Sequence, residues 1–573
     1  MKLNVQEIED IVGADNVSIT DETRALYARD ISSLPGLAGQ IVKNAFKLVV
    51  QPVTMKSLIA LIKYTNEKGI PIVPRGSGTS GWGGALPIKE SICISMIRMS
   101  RIRHVDEYGL HVTVEAGITW RELLMFLEQA GLTLPVYPSS AAAATVGGFV
   151  ASGGFGIGSA KHGNIKSQVT GIEAILPNGM LVRAGSILCS EIDDLDEDAL
   201  LGGQWLGRMV QKDTSLEQTD LLELFMETYG TFGLITKVSL RVIPKLMFRA
   251  FAGRFDTMES MMNVVSTILE HAEPYHMRFI TDSYSSKVFA LRSGDNEFGK
   301  FILSGALMNT IYELEEEVEL ITRVVHEHGG VLLSDGRAEY HWSERFYPLR
   351  IKNLGPSLVP AEAILPISSV TEMYDDTIKA LGRKSVGIEG TIGNNGMTSF
   401  LAWILDDERK TISYTLGWHR SFDLARLAKN HGGKPYAVAL WNVPYAREFY
   451  GDNELDKLAK MKQIVDPKNL MNPMKVFGGR IEAGKESQAF GFLSGYMAAL
   501  LVQMFGPTLL GWSWLSDILW TSTSSQIILP IIYLISILGG IAGFLFIRFL
   551  SLRRALKLGI PLLKIIRKIL RLK

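Results

Sequence analysis

At 573 residues the chain exceeds what one hydrophobic core supports, so two or three globular units are expected besides whatever its ends carry. A hydrophobic content of 47% with 21% charged residues excludes a disordered chain. The two cysteines, Cys93 and Cys189, exclude a disulfide framework, and no CxxC pair is present to hold zinc or an iron–sulfur cluster. The formal net charge of zero is unevenly spread: residues 548–573 carry nine basic and no acidic residues, leaving 50 basic against 59 acidic before them. That body, at a net −9, would repel phosphate, so nucleic acid is not an expected partner.

The opening MKLNVQEIEDIVGADN is acidic and amphipathic, without the basic end and apolar stretch of a signal peptide, and begins an N-terminal helical segment over 1–41. A first globular domain is expected over 42–245. Its run VVQPVTMKSLIALIKYTNEKGIPIVPRGSGTSGWGGALP reads as a strand, a helix over 55–68, a strand over 70–73 and a glycine loop. Gly76, Gly78 and Gly81 satisfy GxGxxG, but Trp82, Gly83, Gly84 and Pro87 follow where a dinucleotide fingerprint needs a helix to begin. The loop is therefore expected to offer successive backbone N–H groups to a pyrophosphate. A second glycine-rich loop, AAAATVGGFVASGGFGIGSAKHGN, holds seven glycines from Thr145 to Gly163. Small residues at Ala144, Gly147, Gly148, Ala151 and Gly154 would let a flat ring or a phosphate approach the backbone. YGTFGLITKVSLRVIP reads as a turn and a strand over 234–242.

The end of the chain differs in kind. Two runs of 30 residues, 487–516 and 518–547, contain no charge, and each is long enough to form a transmembrane helix. Trp512, Trp514 and Trp520 cluster near the turn between them, as at a membrane interface. In the basic tail over 548–573, Leu552, Leu556, Ile560, Leu563, Ile566 and Leu570 recur every three or four positions, the pattern of an amphipathic helix lying on anionic membrane lipid. The expected topology is a hairpin in the cell membrane with the catalytic body and the tail on the cytoplasmic side.

PRGSGTSGWGG, the ATVGG segment ending in KHG, GIEAILPNG, GTFGLITKVSLRVIP and the terminal DPKNLMNPMKVF, in this order, resemble the vanillyl-alcohol-oxidase (PCMH-type) family of FAD-linked oxidoreductases, and most closely its glycolate oxidase and D-lactate dehydrogenase branch. The resemblance implies an α+β architecture: a two-subdomain FAD-binding domain, a cap of antiparallel sheet and helices over 246–437, and a segment over 438–480 that closes the FAD site. It also implies roles. Arg75, Gly76, Ser77, Gly78, Thr79 and Gly83 match the loop that wraps the FAD pyrophosphate, and Pro138, Ser139, Thr145, Val146, Gly147 and Gly148 the segment beside the flavin. Ser152, Gly154 and His162 match the second loop, and Ile235 and Thr236 the strand on the adenine side. Asn472 lies in MNPMK where the family reads NPGK, so Met474 is expected to alter that turn. Members that attach flavin to histidine carry GGH in the first loop; Thr79 stands there, and noncovalent FAD is expected.

On the substrate side HWSERF matches the family's WxxR segment, which implies that Arg345 meets a substrate carboxylate as a planar fork, with His341 beside it as a candidate base. The metal-binding pattern of this branch is missing: GIEGTIGNNGMTSF has Ile388 in place of the first histidine, and GGKPYAVALW replaces EHG, so no metal is expected. A protein base would have to act instead, with His419, His431, Glu389 and Tyr436 as further candidates. The expected function is a membrane-anchored FAD-dependent dehydrogenase of a small anionic 2-hydroxy acid. Its electrons would pass to quinone or to a separate iron–sulfur or cytochrome subunit. A sugar lactone or lipid oxidoreductase on the same fold, or a flavin-binding electron-transfer subunit without turnover, is the alternative.

Overall fold

The structure, a computed structural model, describes residues 3–31, 45–87, 90–186, 202–212, 216, 220–288, 299–346, 351, 357–383 and 386–477. The expected transmembrane runs, the basic tail and Cys189 lie outside the described residues. Among the described residues no helix is long and apolar enough to cross a membrane.

The first sheet contains β1 (Val17–Ser18), β2 (Phe46–Val50), β3 (Ile72–Arg75) and β4 (Ser91–Ser95), in the order β1-β2-β4-β3. β2, β4 and β3 are parallel, and their short apolar runs are buried on both faces, as parallel strands require. The crossover helix Met55–Lys68 starts where Thr54 accepts a hydrogen bond from the Ser57 N–H. It stops at Gly69, whose φ of 65° is the left-handed conformation that glycine adopts without strain. Leu58, Leu61 and Ile62 on its inner face are fully buried against Ile72, Ile92 and Ile94, each side chain contributing about 1.5–3 kcal/mol. The strand expected over 70–73 begins two residues later, because the left-handed cap at Gly69 and then Pro71 occupy the approach.

A second sheet follows, made of β5 (Ile102–Asp106), β6 (His111–Glu115), β8 (Val169–Ile175), β9 (Leu181–Gly185) and β10 (Leu234–Arg241), antiparallel throughout in the order β5-β6-β10-β8-β9. β7 (Leu132–Thr133) pairs with β11 (Ile243–Pro244) beside it. Between β6 and β8, β10 carries Lys237, whose Nζ lies 3.0 Å from Glu173 Oε1 with both side chains wholly buried.

The cap is one antiparallel sheet of eight strands: β12 (Met247–Phe255), β13 (His276–Ile280), β14 (Phe301–Asn309), β15 (Val331–Leu332), β16 (Ser357–Pro366), β17 (Val386–Thr391), β18 (Met397–Asp406) and β19 (Lys434–Pro435). Their order is β15-β12-β14-β13-β17-β18-β16-β19. The chain then returns to its beginning: the Ile72 N–H donates to Leu470 O and the Asn472 N–H to Ile72 O, each at 2.8 Å. Met474 takes φ 71°, the conformation that favours glycine, so the turn keeps a glycine-like backbone at a cost of about 1–2 kcal/mol.

Candidate active site

The second glycine-rich segment, read from sequence as a loop, contains a helix, Val146–Ser152. Thr145 makes it possible: its Oγ1 accepts from the Gly148 N–H at 3.3 Å and caps the first turn. A Cβ on Gly147 would run into Ala116, so that glycine serves close packing. A Cβ on Gly148 would meet Thr145 Oγ1 at 2.9 Å and Gly76 Cα at 3.9 Å, and Gly148 itself borders an open space.

That open space is a cavity of about 1180 Å³, beyond the roughly 300–1,000 Å³ that encloses a drug-sized ligand. At one end it is lined by Arg75, Gly76, Ser77, Gly78 and Thr79, with Pro138, Ser139, Thr145, Gly147, Gly148, Ser152 and Ile235 along its length. Arg75 Nη1, Ser77 Oγ and Tyr229 Oη are buried without a hydrogen-bond partner. Donors left without a partner are costly, so this wall fits an anionic, polar ligand such as a dinucleotide pyrophosphate.

Other residues named from the sequence stand behind the wall. Val146 is a core residue. Gly83, at φ 76°, gives its N–H to Asp30 Oδ2 at 2.8 Å, and Asp30 itself lines the cavity. Gly154 abuts Tyr436, whose hydroxyl would be struck by any Cβ there. Thr236 faces the opposite way from Ile235 and bonds to Glu173. Asn472 donates through Nδ2 to Gly84 O at 2.9 Å and Tyr229 O at 2.6 Å, tying the first loop to the segment that ends the described residues. His162 packs against Tyr275, and burial, with Lys161 nearby, lowers its pKa to about 4.

The far end belongs to the cap. Alternation along four neighbouring strands brings His276 and Arg278 of β13, Glu389 and Thr391 of β17, Ser399, Leu401 and Trp403 of β18, and Leu358 and Glu362 of β16 onto the cavity. Glu389 accepts from Arg278 Nε at 2.8 Å and from its Nη2 on one oxygen, and from Trp403 Nε1 on the other. Arg345 follows the helix Asp335–Ser343 on a short 3-10 turn. Its guanidinium carbon lies 3.9 Å from the Trp342 ring centre and 4.0 Å from that of Phe346, while Nη1 donates to Trp342 O at 2.8 Å. Among the described residues no carboxylate pairs with it. Burial and the two arginines hold His276 down to about 3, so it is a neutral imidazole.

His341 is buried in that helix and does not line the cavity. His431 is engaged by Asp376 at 3.0 Å, away from the cavity. The His419 side chain lies outside the described ones. Tyr436 does line the cavity, but its hydroxyl accepts from the Phe155 N–H at 3.0 Å and donates to Phe155 O at 3.3 Å. Among the described residues no group of histidine, cysteine and carboxylate side chains is placed to hold a metal.

Two family models match the chain, one over each of its two larger parts. Residues 46–185 match the family model described as FAD binding domain, and residues 249–476 that of FAD linked oxidases, C-terminal domain. The chain is similar to a D-lactate dehydrogenase of Archaeoglobus fulgidus, 24% identical across 75% of this chain and 91% of that protein. It is also similar to glycolate oxidase subunit GlcD of Bacillus subtilis, 22% identical across 82% and 96%. In fold it resembles a p-cresol methylhydroxylase, with a TM-score of 0.68 at 16% identity across 83% of this chain and 96% of that one.

Proposed function

Because the chain belongs to the FAD-linked oxidases and is an FAD-dependent oxidoreductase, we propose that it is a dehydrogenase of a small 2-hydroxy acid resembling D-lactate or glycolate. The observation that carries this reading is Arg345, a cation on the cavity wall held between two aromatic rings and without a carboxylate partner among the described residues. An arginine so placed is oriented by stacking and by the bonds of Nη1 to Trp342 O and of Nε to Tyr137 Oη, which leaves Nη2 and the remaining Nη1 hydrogen for an anion. The A. fulgidus and B. subtilis relatives, named for D-lactate and glycolate, support the same substrate class.

Arg75, Ser77 and the N–H groups of Gly76 and Gly78 would hold the FAD phosphates, and the Val146–Ser152 helix would border the ring. When bound, FAD supplies the two-electron acceptor. The cap strands would exclude water, and the turn after the helix Asp335–Ser343 would present Arg345 to the substrate carboxylate. We further propose that FAD is held noncovalently, since Thr79 stands where covalent relatives of the family carry histidine; acid precipitation should then release the yellow cofactor from the pellet. The charge-free runs over 487–547 and the basic tail support membrane anchorage on the cytoplasmic side, with quinone or a separate iron–sulfur or cytochrome subunit receiving the electrons. Removing 487–573 should yield a soluble yellow protein, and a truncated protein that still sediments with membranes would contradict the anchor.

Anaerobic mixing with a panel of hydroxy acids tests the activity: one of them should bleach the flavin rapidly. Bleaching by a sugar lactone or by no compound with a carboxylate would refute the assignment. With the best acid, Arg345→Lys keeps the charge but loses the fork, and kcat/KM should fall by the equivalent of about 2–5 kcal/mol with FAD content unchanged.

A further inference from the structure

We propose that Glu362 is the base that takes the hydroxyl proton of the substrate, a role that rests on the hydroxy-acid reading above. In this step the substrate O–H bond breaks and its proton passes to a carboxylate oxygen of Glu362. FAD, when bound, would supply the acceptor for the hydrogen on the same carbon and its electron pair, so that the C–O single bond can become a carbonyl.

The placement follows from strand register. Glu389 of β17 lies opposite Leu401 of β18, and Leu401 lies opposite Glu362 of β16, so the two carboxylates stand in one row, about 10 Å apart at the backbone. Ala361, Ala363 and Leu365 on the other face of β16 are buried, which turns Glu362 toward the cavity that it lines. Among the described residues nothing hydrogen-bonds or pairs with its carboxyl group. Its backbone is fixed: the Tyr436 N–H donates to Glu362 O at 3.1 Å.

Three other titratable groups that line the cavity are poor candidates. Glu389 has one oxygen taken by Arg278 and the other by Trp403, and the Tyr436 hydroxyl is occupied by Phe155. His276, held near 3, is too weak a proton acceptor at neutral pH. Burial, followed by the charge of Glu389, holds the Glu362 carboxyl well above its ordinary range. The groups that bear on it are Glu389 from β17 and the phenols Tyr436 and Tyr229; Arg278, His276, Arg345 and Tyr414 line the same cavity. A base so raised works as the anion, so reduction should speed up with rising pH and level off once Glu362 is ionised.

The test is anaerobic flavin reduction by the best hydroxy acid, followed against pH in the holoenzyme, with oxalate binding as a second reading from the flavin absorbance. In Glu362→Gln the plateau rate should fall by about 10²–10⁴-fold, the usual share of a positioned base, and the ionisation should vanish from the profile. Oxalate should bind the wild type more weakly as pH rises through that ionisation, whereas its affinity for the Gln variant should stay flat. A Gln variant that reduces flavin at the wild-type rate, or keeps the same ionisation in either reading, overturns the role. If that variant fails to retain FAD, Glu362→Asp decides: a displaced ionisation supports the role, and a wild-type profile overturns it. A wild-type flavin that no hydroxy acid bleaches removes the substrate reading instead, and this role with it.

Discussion

Gly148→Val is expected to purify nearly colourless. Gly148 sits in the first turn of the Val146–Ser152 helix without a left-handed φ, so valine meets no backbone penalty beyond its ordinary helix propensity. Its Cβ would press on Thr145 Oγ1 at 2.9 Å, so that the capping threonine has to shift, with Gly76 Cα next at 3.9 Å, and its branched carbons would extend beside the cavity that Gly148 lines. Overpacking of a fitted contact costs about 1–3 kcal/mol, or roughly a 5- to 150-fold loss of affinity. Flavin absorbance per mole of purified protein, with circular dichroism to confirm folding, checks it. A fully yellow variant would mean that this turn does not border the cofactor.

The largest effect on stability is expected at Lys462. Its Nζ donates to Asp466 Oδ2 at 2.6 Å, Thr231 O at 2.5 Å and Met471 O at 2.9 Å, and neither Lys462 nor Asp466 is more than 2% exposed. Lys462→Met keeps most of the stem but leaves Asp466 as a buried anion without its cation, which should cost about 3–5 kcal/mol. A lowered midpoint in urea, with an unaltered slope, is the expected result. An unchanged midpoint would show that the two backbone N–H groups of Leu470 and Met471 suffice to hold Asp466.

The cofactor half of the site was readable from the sequence because its chemistry is local. Glycines at fixed offsets are properties of adjacent residues, and Arg75 to Thr79 meet on one loop by chain connectivity. The helix Val146–Ser152 was hidden by glycine, whose poor propensity masked the one signal that could have found it, Thr145 three residues before Gly148. His341 illustrates a different limit. It stands four residues before Arg345, a spacing that shares a face only while the helix continues, and the helix stops at Ser343. The substrate half depends on pairing between distant strands. Arg278 and Glu389 are 111 positions apart, and Glu362 is one acidic residue in AEAILPISSV until β18 sets it beside them. The available hint was a charge in an otherwise apolar strand, a pattern that costs stability unless something uses it.

The Asn472 amide has a consequence for how the holoenzyme is made. It joins Gly84, in the first glycine loop, to Tyr229 and to a segment nearly 400 positions later. Synthesis proceeds from the N-terminus at about 5–20 residues per second, so the glycine loop emerges long before the amide that secures it. Until residue 472 has left the ribosome the wall of the cavity is unfinished, and contacts of such long range form slowly. Cofactor capture therefore follows the emergence of Asn472, and a nascent chain stalled anywhere before it should emerge without flavin.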